Sequence, residues 1–492
     1  MLLSTLLEGM NYKCISQDTD VDVSDLIYDS RKVVPFSAFF CIDGVITDGH
    51  AYAADAVSKG ATVLIVEHPV TVDEKIVQIQ VDSTRIALAH MSAIYFNNPA
   101  KCMKVIGITG TKGKTSTAFM IKNIIEKNGK DCGIIGTVGA AWQDEKVTTG
   151  LTTPESYVIH NLFRQMADAG CEYVVMEVSS QALKMNRTYG IEFDVAVFTN
   201  FSPDHIADGE HSSLEEYRHC KELLFSQCRY GIFNLDDEMV DKFIRCATCD
   251  DILTYGLAED AGIRALDIKQ WSDSGKLGIE FCLTGKVNGN VKLEVPGLFN
   301  AYNVMAAISV CSVLGFSWED ICSKLNLVRI PGRVELVNVS DEYSVIIDYA
   351  HNEVSTRSVM ETLKAYNPAH IICVYGGGGN RSKLRRYDMG EVTGELADLS
   401  VLTCDNPRDE EISAINDDIK IGLAKHNGAY VEVPDRVDAI EYAMRHAVKG
   451  DIILLLGKGH EQYQEIKGVK YHYDEREAVM EAYSRIEKDS HQ

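Results

Sequence analysis

Short runs of apolar residues alternate with amphipathic stretches along most of the chain. In the middle of the chain the runs are KVIGITG, EYVVMEV, FDVAVFTN and YGIFNL, and towards its end they are SVIIDYA, HIICVYGG, LSVLTCDN and DIILLLGKG. Uninterrupted apolar runs between helical patterns are typical of parallel strands buried on both faces. A weaker alternation over residues 260–297 predicts an antiparallel segment between two such sheets. The pattern therefore predicts an α/β fold.

Two breaks in this pattern divide the chain into three predicted domains. FNNPAKC near residue 98 precedes the first strong strand, and Pro331 and Gly332 interrupt the chain shortly before residue 335. A chain of 492 residues is long for a single core. We therefore predict an N-terminal domain over residues 1–98, a central domain over 99–334 and a C-terminal domain over 335–492.

The charge balance narrows the choice of partners. The formal net charge is −24, from 72 acidic and 48 basic residues, and no strongly basic run stands out. Nucleic acid and anionic membranes are therefore poor partners, although a local basic pocket for phosphates remains compatible with this charge. The opening segment lacks the features of a secretory signal, and no later run approaches about 18 apolar residues. We expect a soluble protein of the cytoplasm.

The 14 cysteines are scattered through predicted strands and helices rather than spaced as a disulfide framework. This distribution is typical of a reducing compartment. One C-x-x-C pair occurs, Cys246 and Cys249, but no second pair lies at the spacing of a zinc site. We therefore predict no metal or redox role for this pair.

A phosphate-binding loop is the strongest chemical signal. A predicted strand runs into GTKGKTS and then into an amphipathic helix, which is the context that such a loop requires. Glycines let backbone N–H groups approach phosphates, while Lys114 can reach the outer oxygens and the Thr115 hydroxyl can bind Mg²⁺. The spacing departs from G-x-x-x-x-G-K-[ST], because Ile108 occupies the first glycine position. The alternative is a glycine-rich turn without a ligand. The predicted loop residues are Gly110, Thr111, Lys112, Gly113, Lys114, Thr115 and Ser116.

A second lysine lies where a helix would normally bury a hydrocarbon. In the helical register of EEYRHCKELLF, Lys221 falls on one face with four large apolar side chains, Leu214, Tyr217, Leu224 and Phe225. The ordinary interpretation is a lysine whose methylenes cover apolar surface while its ammonium extends into water. The alternative is an amine kept in that position for chemistry.

Motifs along nearly the whole chain resemble those of the Mur ligase family, ATP-dependent enzymes that add amino acids to the peptide of the cell-wall precursor. They are YDSRKV, LTTPES, MEVSSQAL, FTNFSPDH, NLDDE, FNAYNVMAA, PGRVE, DYAH, DNPRDE and GKGHEQYQ, together with GTKGKTS. DNPRDE and GKGHEQYQ are specific to the branch of the family that adds the third residue of the peptide. The resemblance implies a smaller N-terminal α/β domain for the uridine-linked substrate, a central P-loop ATPase-like parallel sheet, and a C-terminal Rossmann-like domain for the amino acid.

The resemblance also implies a reaction in peptidoglycan precursor synthesis, on which cell shape and cell division depend. ATP would phosphorylate a carboxylate of UDP-N-acetylmuramoyl-L-alanyl-D-glutamate, and the amine of the next amino acid would attack the resulting acyl phosphate. By resemblance, Glu177 and His205 hold Mg²⁺ together with Thr115, and Lys221 is carbamylated by CO₂ so that it can bind a second Mg²⁺. Burial favours the neutral amine that reacts with CO₂. The implied catalytic residues are Lys114, Glu177, His205 and Lys221.

The remaining site residues follow from the resemblance alone. Those implied for the UDP-muramoyl-peptide are Ser30, Arg31, Thr152, Thr153, Ser179 and Arg187. Those implied for the nucleotide, beyond the loop, are Asn300, Asn303, Arg333, Asp348 and His351. Those implied for the amino acid are Arg381, Asp405, Asn406, Pro407, Arg408, Gly457 and Glu461. Departures from the family pattern, namely Gln181, Met185, DYAHNEV and GGGGNRS, leave the shape of the muramoyl and amino-acid pockets open.

The identity of the amino acid depends mainly on Arg408. meso-Diaminopimelate differs from lysine by a carboxylate on its far carbon, to which a guanidinium offers a two-pronged, charge-assisted bond. DNPR is the version of the motif associated with meso-diaminopimelate in the family, and we predict that substrate. Two alternatives remain: Arg408 pairs with Asp409 or Glu410 on the surface, or the substrate is L-lysine or another diamino acid.

Other classes of protein remain possible. A dinucleotide-binding dehydrogenase would need a glycine-rich loop such as YGGGGN, but four adjacent glycines are not G-x-G-x-x-G, and the phosphate-loop lysine has no place in its mechanism. A ligase similar to folylpolyglutamate synthetase would share the central chemistry but not the YDSR, DNPR and GKGHE motifs. A non-catalytic binding protein derived from the family is the third alternative. We expect a monomer with small-molecule substrates and without nucleic acid or membrane partners.

Overall fold

The computed structural model describes residues 1–15, 20–44, 47–203, 211–325 and 329–490. The chain divides into two compact units. The first unit contains Met1–Gly262 and Ala306–Phe316, and the second contains Ile263–Met305 and Ser317–Gln492. The domain boundaries at residues 98 and 334 stay predictions.

The first unit begins with a small, mainly parallel sheet in the order β1-β5-β4-β3-β2. Its strands are β1 (Lys13–Cys14), β2 (Leu26–Ile27), β3 (Ala38–Phe40), β4 (Val63–Val66) and β5 (Val77–Gln80), and its helices are α1 (Leu3–Leu6), α2 (Ala53–Ser58) and α3 (Thr84–Tyr95). Leu6, Phe40, Ile65 and Leu88 belong to the apolar cluster that holds the helices against the sheet.

The rest of the first unit is built on a larger sheet in the order β13-β12-β11-β6-β10-β7-β8-β9. Its strands are β6 (Lys104–Thr109), β7 (Cys132–Gly136), β8 (Gly139–Trp142), β9 (Glu145–Val147), β10 (Tyr173–Glu177), β11 (Phe193–Phe198), β12 (Cys228–Asn234) and β13 (Asp251–Gly256). The helices are α4 (Lys114–Lys127), α5 (Ser156–Asp168), α6 (Ser180–Lys184), α7 (Leu214–Glu222) and α8 (Val240–Cys246). Because β6 pairs in parallel with both β10 and β11, the carboxyl ends of these strands meet at one edge of the sheet.

The second unit contains an antiparallel segment and a mostly parallel sheet. The antiparallel strands are β14 (Ile263–Asp273), β15 (Lys276–Gly285) and β16 (Gly289–Leu293). The parallel sheet has the order β17-β18-β22-β19-β20-β21, in which β17 alone runs antiparallel to its neighbour. Its strands are β17 (Glu335–Val337), β18 (Ser344–Asp348), β19 (Ile371–Tyr375), β20 (Leu399–Leu402), β21 (Tyr430–Glu432) and β22 (Ile452–Leu456), and a separate hairpin joins β23 (Tyr463–Ile466) to β24 (Val469–His472).

The helices after α8 are α9 (Phe299–Val313), α10 (Trp318–Leu325), α11 (Glu353–Lys364), α12 (Lys383–Leu396), α13 (Ile412–Leu423), α14 (Arg436–His446) and α15 (Glu475–Ser490). Apolar clusters, with Ile346 and Leu454 in one and Val345 and Ile453 in another, hold helices against the parallel sheet. None of the helices in the described ranges has the length and apolar character that a membrane crossing requires.

The α/β class, the two parallel sheets and the antiparallel segment near residues 260–297 are confirmed. One local prediction is wrong, because the helix that carries Lys221 does not continue through Phe225. Helix α7 ends at Glu222, and a 3₁₀ turn over Leu223–Ser226 follows. Leu224 and Phe225 are nevertheless fully buried, since the tighter turn still directs both side chains into the core.

Candidate active site

The loop between β6 and α4 depends on glycine at two positions. Gly110 has φ 146° and Gly113 has φ 85°, and a Cβ atom on Gly110 would lie 2.0 Å from the Thr199 hydroxyl oxygen. From outside the loop, Thr199 Oγ1 donates to the Lys112 carbonyl at 2.7 Å and Asn200 Nδ2 donates to the same oxygen at 3.0 Å. Residues just after β11 thus hold the backbone of the loop in place.

Lys114, the first residue of α4, reaches back over this loop. Its Nζ donates to the carbonyl oxygens of Gly110 at 2.7 Å and Thr111 at 3.0 Å. The start of α4 also presents backbone N–H groups and the positive end of the helix dipole. The ammonium and the helix start together form a cationic cradle of the kind that binds phosphates.

Glu177 forms the centre of a buried polar cluster at the carboxyl end of β10. Its side chain is 1% exposed. It accepts hydrogen bonds from Thr115 Oγ1 at 2.9 Å, from the Thr137 backbone N–H at 2.9 Å and from Thr137 Oγ1 at 3.1 Å. A Cβ atom on Gly136 would lie 2.1 Å from Glu177 Oε1. The hydroxyl of Thr115 and the carboxylate of Glu177 are hard oxygen donors beside a phosphate-binding loop, so these residues fit a Mg²⁺ ion.

Lys221 is 2% exposed and lies against the phosphate loop. Its Nζ donates to the Gly110 carbonyl at 3.0 Å, the same oxygen that accepts from Lys114, and lies 4.4 Å from the centre of the Tyr217 ring. The interpretation in which this ammonium extends into water is therefore wrong. The hydroxyl of Tyr217 lies 3.3 Å from Thr111 Oγ1, which ties α7 to the loop.

The residues implied for the muramoyl-peptide fall into two places. Thr153 Oγ1 donates to the backbone carbonyl of Glu177 at 2.8 Å, and the Ser179 N–H donates to Thr153 Oγ1 at 3.0 Å. Arg187 donates through Nε to Glu155 Oε1 at 2.9 Å and through its terminal nitrogen to the Thr153 carbonyl at 3.0 Å. Thr152 joins the same region, because its hydroxyl lies 3.1 Å from that of Thr137.

Ser30 and Arg31 lie instead in a 3₁₀ turn after β2, in the small sheet. Arg31 donates to both carboxylate oxygens of Asp29, at 2.9 and 2.8 Å. Hydrogen bonding to the Arg31 side chain lowers the pKa of Asp29 to about 2. His205, implied as a metal ligand, lies outside the described residues.

The second unit holds the residues implied for the nucleotide. Asp348 ends β18 and accepts a hydrogen bond from the Val334 N–H at 2.8 Å. Burial raises the pKa of the Asp348 carboxyl above its ordinary value. The guanidinium of Arg333 lies 5.4 Å from the centre of the Tyr349 ring, and His351 Nδ1 lies 2.9 Å from the Tyr349 carbonyl.

Asn300 and Asn303 lie near the start of α9, which begins at Phe299, and both are buried. Asn300 Nδ2 donates to the Pro296 carbonyl at 2.7 Å, and Asn303 Nδ2 donates to Asn300 Oδ1 at 2.8 Å. The two amides therefore order the first turn of the helix.

A cavity of about 290 Å³ in the second unit brings together most residues implied for the amino acid. Its lining includes Arg381, Asp405, Asn406, Arg408, Gly457 and Glu461. Arg385 and Arg386 also line it and were missed by sequence reasoning. Burial raises the pKa of Asp405, against the opposing effect of the Lys458 ammonium. The cavity thus combines guanidinium groups with carboxylates.

Arg408 is paired with a residue that its sequence neighbourhood does not indicate. Its Nε donates to Glu465 Oε2 at 3.1 Å and its NH1 donates to the Gly379 carbonyl at 2.8 Å. Asp409 and Glu410 are instead bonded to Asn380 and Arg386. The predicted alternative in which Arg408 pairs with Asp409 or Glu410 is therefore wrong, because all three side chains have other partners. Arg408 has a left-handed backbone, with φ 51°.

Comparison with known proteins agrees with this arrangement. Three family models match successive parts of the chain: "Mur ligase family, catalytic domain" at residues 22–104, "Mur ligase middle domain" at 108–311 and "Mur ligase, glutamate ligase domain" at 332–459. A relative from Clostridium perfringens (strain 13 / Type A), named UDP-N-acetylmuramoyl-L-alanyl-D-glutamate--2,6-diaminopimelate ligase, is 40% identical over 488 residues, which cover 98% of this chain and 99% of the relative.

The chain belongs to the Mur ligase family. A relative of the same name from Caldanaerobacter subterraneus subsp. tengcongensis is 38% identical over 489 residues, covering 99% of this Mur ligase and 100% of the relative. A solved structure titled "Structure of UDP-N-acetylmuramoyl-L-alanyl-D-glutamate--2, 6-diaminopimelate ligase" has a TM-score of 0.72 at 27% identity and covers 99% of each chain.

Sequence reasoning missed several polar residues of this Mur ligase. Thr137 follows the carboxyl end of β7 directly, and ligands of open α/β sheets gather at such strand ends, so this position is a signal that could have found it. Glu155 and Glu465 gave no such signal, because their arginine partners lie 32 and 57 residues away in the chain. The buried lysine Lys458 was also missed, since lysines are normally exposed.

Proposed function

We propose that this Mur ligase is an ADP-forming ligase that joins meso-diaminopimelate to UDP-N-acetylmuramoyl-L-alanyl-D-glutamate in peptidoglycan precursor synthesis. Relatives that match over nearly the full chain carry the name of this activity. We further propose that it acts in the cytoplasm, where ATP and nucleotide-linked precursors are available, and that it acts as a monomer, as the resemblance implies.

The lining of the amino-acid cavity is the observation that carries the choice of substrate. Arg381 and Arg408 offer cations to a carboxylate, while Asp405 and Glu461 offer anions to an ammonium. The far end of meso-diaminopimelate carries one group of each sign. The far end of L-lysine carries only an ammonium, so the guanidinium groups would face like charge without a compensating carboxylate.

The central sheet supports the phosphate chemistry. In the proposed reaction a substrate carboxylate attacks the γ-phosphorus of ATP and ADP leaves, and then the incoming amine attacks the acyl carbon and phosphate leaves. Lys114 and the first N–H groups of α4 would hold the phosphate oxygens and neutralise their charge. Thr115 and Glu177 would hold Mg²⁺, which supplies further neutralisation of the phosphate oxygens when bound.

Carbamylation of Lys221 is part of the proposal. The neutral amine would form an N–C bond to CO₂ and release a proton, which converts a cation into an anion. Burial opposes a positive charge on Lys221, and so does the ammonium of Lys114, which shares the Gly110 carbonyl with it. The product would place carboxylate-like oxygens beside the phosphate loop, where a second Mg²⁺ needs hard ligands.

Native mass spectrometry in bicarbonate buffer tests the modification. We expect the parent protein to carry one added CO₂ near neutral pH and to lose it in acid. The Lys221→Arg variant should lack the added mass. The Lys122→Arg variant should retain it, because Lys122 is another buried lysine but is paired with Glu126 on α4. An unmodified parent with full ATP-dependent activity would contradict the carbamate.

The main test is a turnover assay with purified protein, ATP, Mg²⁺ and the UDP-linked substrate. We expect phosphate release to require both that substrate and an amino acid, with kcat/KM at least about 100-fold higher for meso-diaminopimelate than for L-lysine. Product masses identify which amino acid was added. Equal use of both amino acids, or a preference for L-lysine, would contradict the proposed specificity.

The same assay separates the other classes of protein. Turnover with a folate and glutamate, but not with the UDP-linked substrate, would indicate a ligase similar to folylpolyglutamate synthetase. Tight binding of the UDP-linked substrate without phosphate release would indicate a non-catalytic binding protein.

A further inference from the structure

One lysine is completely buried behind the amino-acid cavity. Lys458 is 0% exposed and follows β22 closely. Its Nζ donates to Asn406 Oδ1 at 3.0 Å, to Glu461 Oε2 at 3.1 Å and to the Tyr463 carbonyl, and it lies 3.7 Å from Asp405 Oδ1. A buried ammonium is tolerated only when it is paired and hydrogen-bonded in this way.

These contacts determine how the Asn406 amide is oriented. Asn406 Oδ1 accepts from Lys458 Nζ and also from the Glu465 backbone N–H at 2.9 Å. Both partners are donors only, so the oxygen must occupy this position and the nitrogen the other. Asn406 Nδ2 then donates to Glu461 Oε2 at 2.9 Å. Asn406 and Glu461 line the cavity, while Lys458 contacts them from behind.

The charges of this group also suit the proposed ligand. The group combines two carboxyl groups, those of Asp405 and Glu461, with one amine, that of Lys458, and this excess of one carboxyl group suits one ammonium. Burial raises the pKa of Asp405; Lys458 and Arg436 oppose that effect, whereas Glu461 and Glu475 add to it. Without the lysine, Asp405 would keep only Arg436 of these two cations, and it would bind a proton at a higher pH than in the parent protein.

We infer that Lys458 is a positioning residue of the amino-acid cavity, which orients Asn406 and Glu461 to receive the far ammonium group of the diamino acid. The inference rests on the proposed function, because that function places a diamino acid in this cavity. Lys458 itself does not touch the ligand.

Steady-state kinetics of two variants test this inference. Lys458→Met keeps an unbranched side chain, one atom shorter and without the charge, and Lys458→Arg keeps the charge with a different geometry. For Lys458→Met we expect KM for meso-diaminopimelate to rise about 30-fold or more, with kcat reduced less than about tenfold and KM for ATP unchanged. Lys458→Arg should show a smaller rise.

The pH dependence provides a readout that a purely structural role would not change. For Lys458→Met, the acid limb of kcat/KM for meso-diaminopimelate should move to higher pH, because Asp405 would need a higher pH to ionise without the Lys458 ammonium. Lys458→Arg should keep the acid limb of the parent. Ile453→Val, which removes one methyl group from the core at β22, the strand that precedes Lys458, controls for loss of stability.

Each outcome has a distinct meaning. No turnover by the parent protein would overturn the proposed function. If the parent turns over and Lys458→Met has an unchanged KM and pH profile, only the positioning role is overturned. The positioning role is also overturned if Lys458→Met shows a general loss of activity that Ile453→Val shares. If Lys458→Met does not fold, Lys458→Arg decides: a parent-like KM would overturn the inference.

Discussion

Arg408→Met removes the guanidinium that we propose as the partner of the far carboxylate. A guanidinium has five N–H donors. The bonds to Glu465 and Gly379 use one donor at Nε and one at NH1. The remaining donors are sufficient for a two-pronged bond to a carboxylate.

The size of the effect follows from these bonds. A hydrogen bond to a charged group contributes about 1.5–3 kcal/mol, so two such bonds give an upper range of about 3–6 kcal/mol. The Arg408 side chain is 20% exposed, and the ligand loses hydration on binding, so we take the lower end of this range. A loss of about 3 kcal/mol corresponds to a fall of about 100-fold in kcat/KM for meso-diaminopimelate. L-Lysine, which lacks the far carboxylate, should be affected less than about threefold.

A second substitution separates the lost bond from a new repulsion. Arg408→Met also leaves the Glu465 carboxylate near the cavity without its cationic partner. Glu465→Gln alone should retain the selectivity of the parent. In the double variant with Arg408→Met and Glu465→Gln, kcat/KM for meso-diaminopimelate should exceed that of Arg408→Met by no more than about tenfold. Methionine is unbranched, so the left-handed backbone at position 408 is no more strained than in the parent.

Competition between the two amino acids in one mixture, with product masses read by mass spectrometry, measures the selectivity directly. A fall of less than about threefold in kcat/KM for meso-diaminopimelate would refute the reasoning, since the loss of two charge-assisted bonds should cost more free energy than such a fall represents. An equal fall for both amino acids would show that Arg408 only holds the loop to Glu465.

Two further predictions concern the first unit. Gly136→Ala should lower kcat about 100-fold or more in the turnover assay, because the new methyl would lie 2.1 Å from Glu177 Oε1 and displace the carboxylate; a parent-like kcat would contradict the role of Glu177. His160 is 2% exposed and burial lowers its pKa to about 4, whereas in the unfolded chain it titrates near about 6.5. Between about pH 6.5 and about pH 4, His160 therefore binds a proton in the unfolded chain but not in the folded protein. The free energy of unfolding should fall by about 3 kcal/mol as the pH drops through this range. Urea denaturation of His160→Leu should show a correspondingly smaller fall, and an identical fall in both proteins would contradict the assignment.

The sequence by itself determined the features that depend on neighbours in the chain. The apolar runs predicted the parallel strands, because a strand buried on both faces is mostly apolar along its length. GTKGKTS predicted the phosphate loop, because its glycines, Lys114 and Thr115 occupy one continuous strand, turn and helix. The apolar stripe around Lys221 predicted that this lysine lies on a buried face, since helical periodicity is local.

Only the tertiary structure decided which groups these residues meet. Lys221 contacts a carbonyl 111 residues earlier, and Glu177 accepts from Thr137 because β7 pairs with β10 in the sheet. Asp409 and Glu410 were an alternative pairing for Arg408 because they adjoin it in the chain, whereas folding pairs Arg408 with Glu465, 57 residues away. Lys458 lies within GKGHEQYQ, and two of its partners, Glu461 and Tyr463, are three and five residues away. The sequence did not indicate its burial, because Asp405 and Asn406 approach it from a distant part of the chain. Hydrogen bonds and ion pairs act over a few ångströms of space, and distance along the chain does not determine that separation.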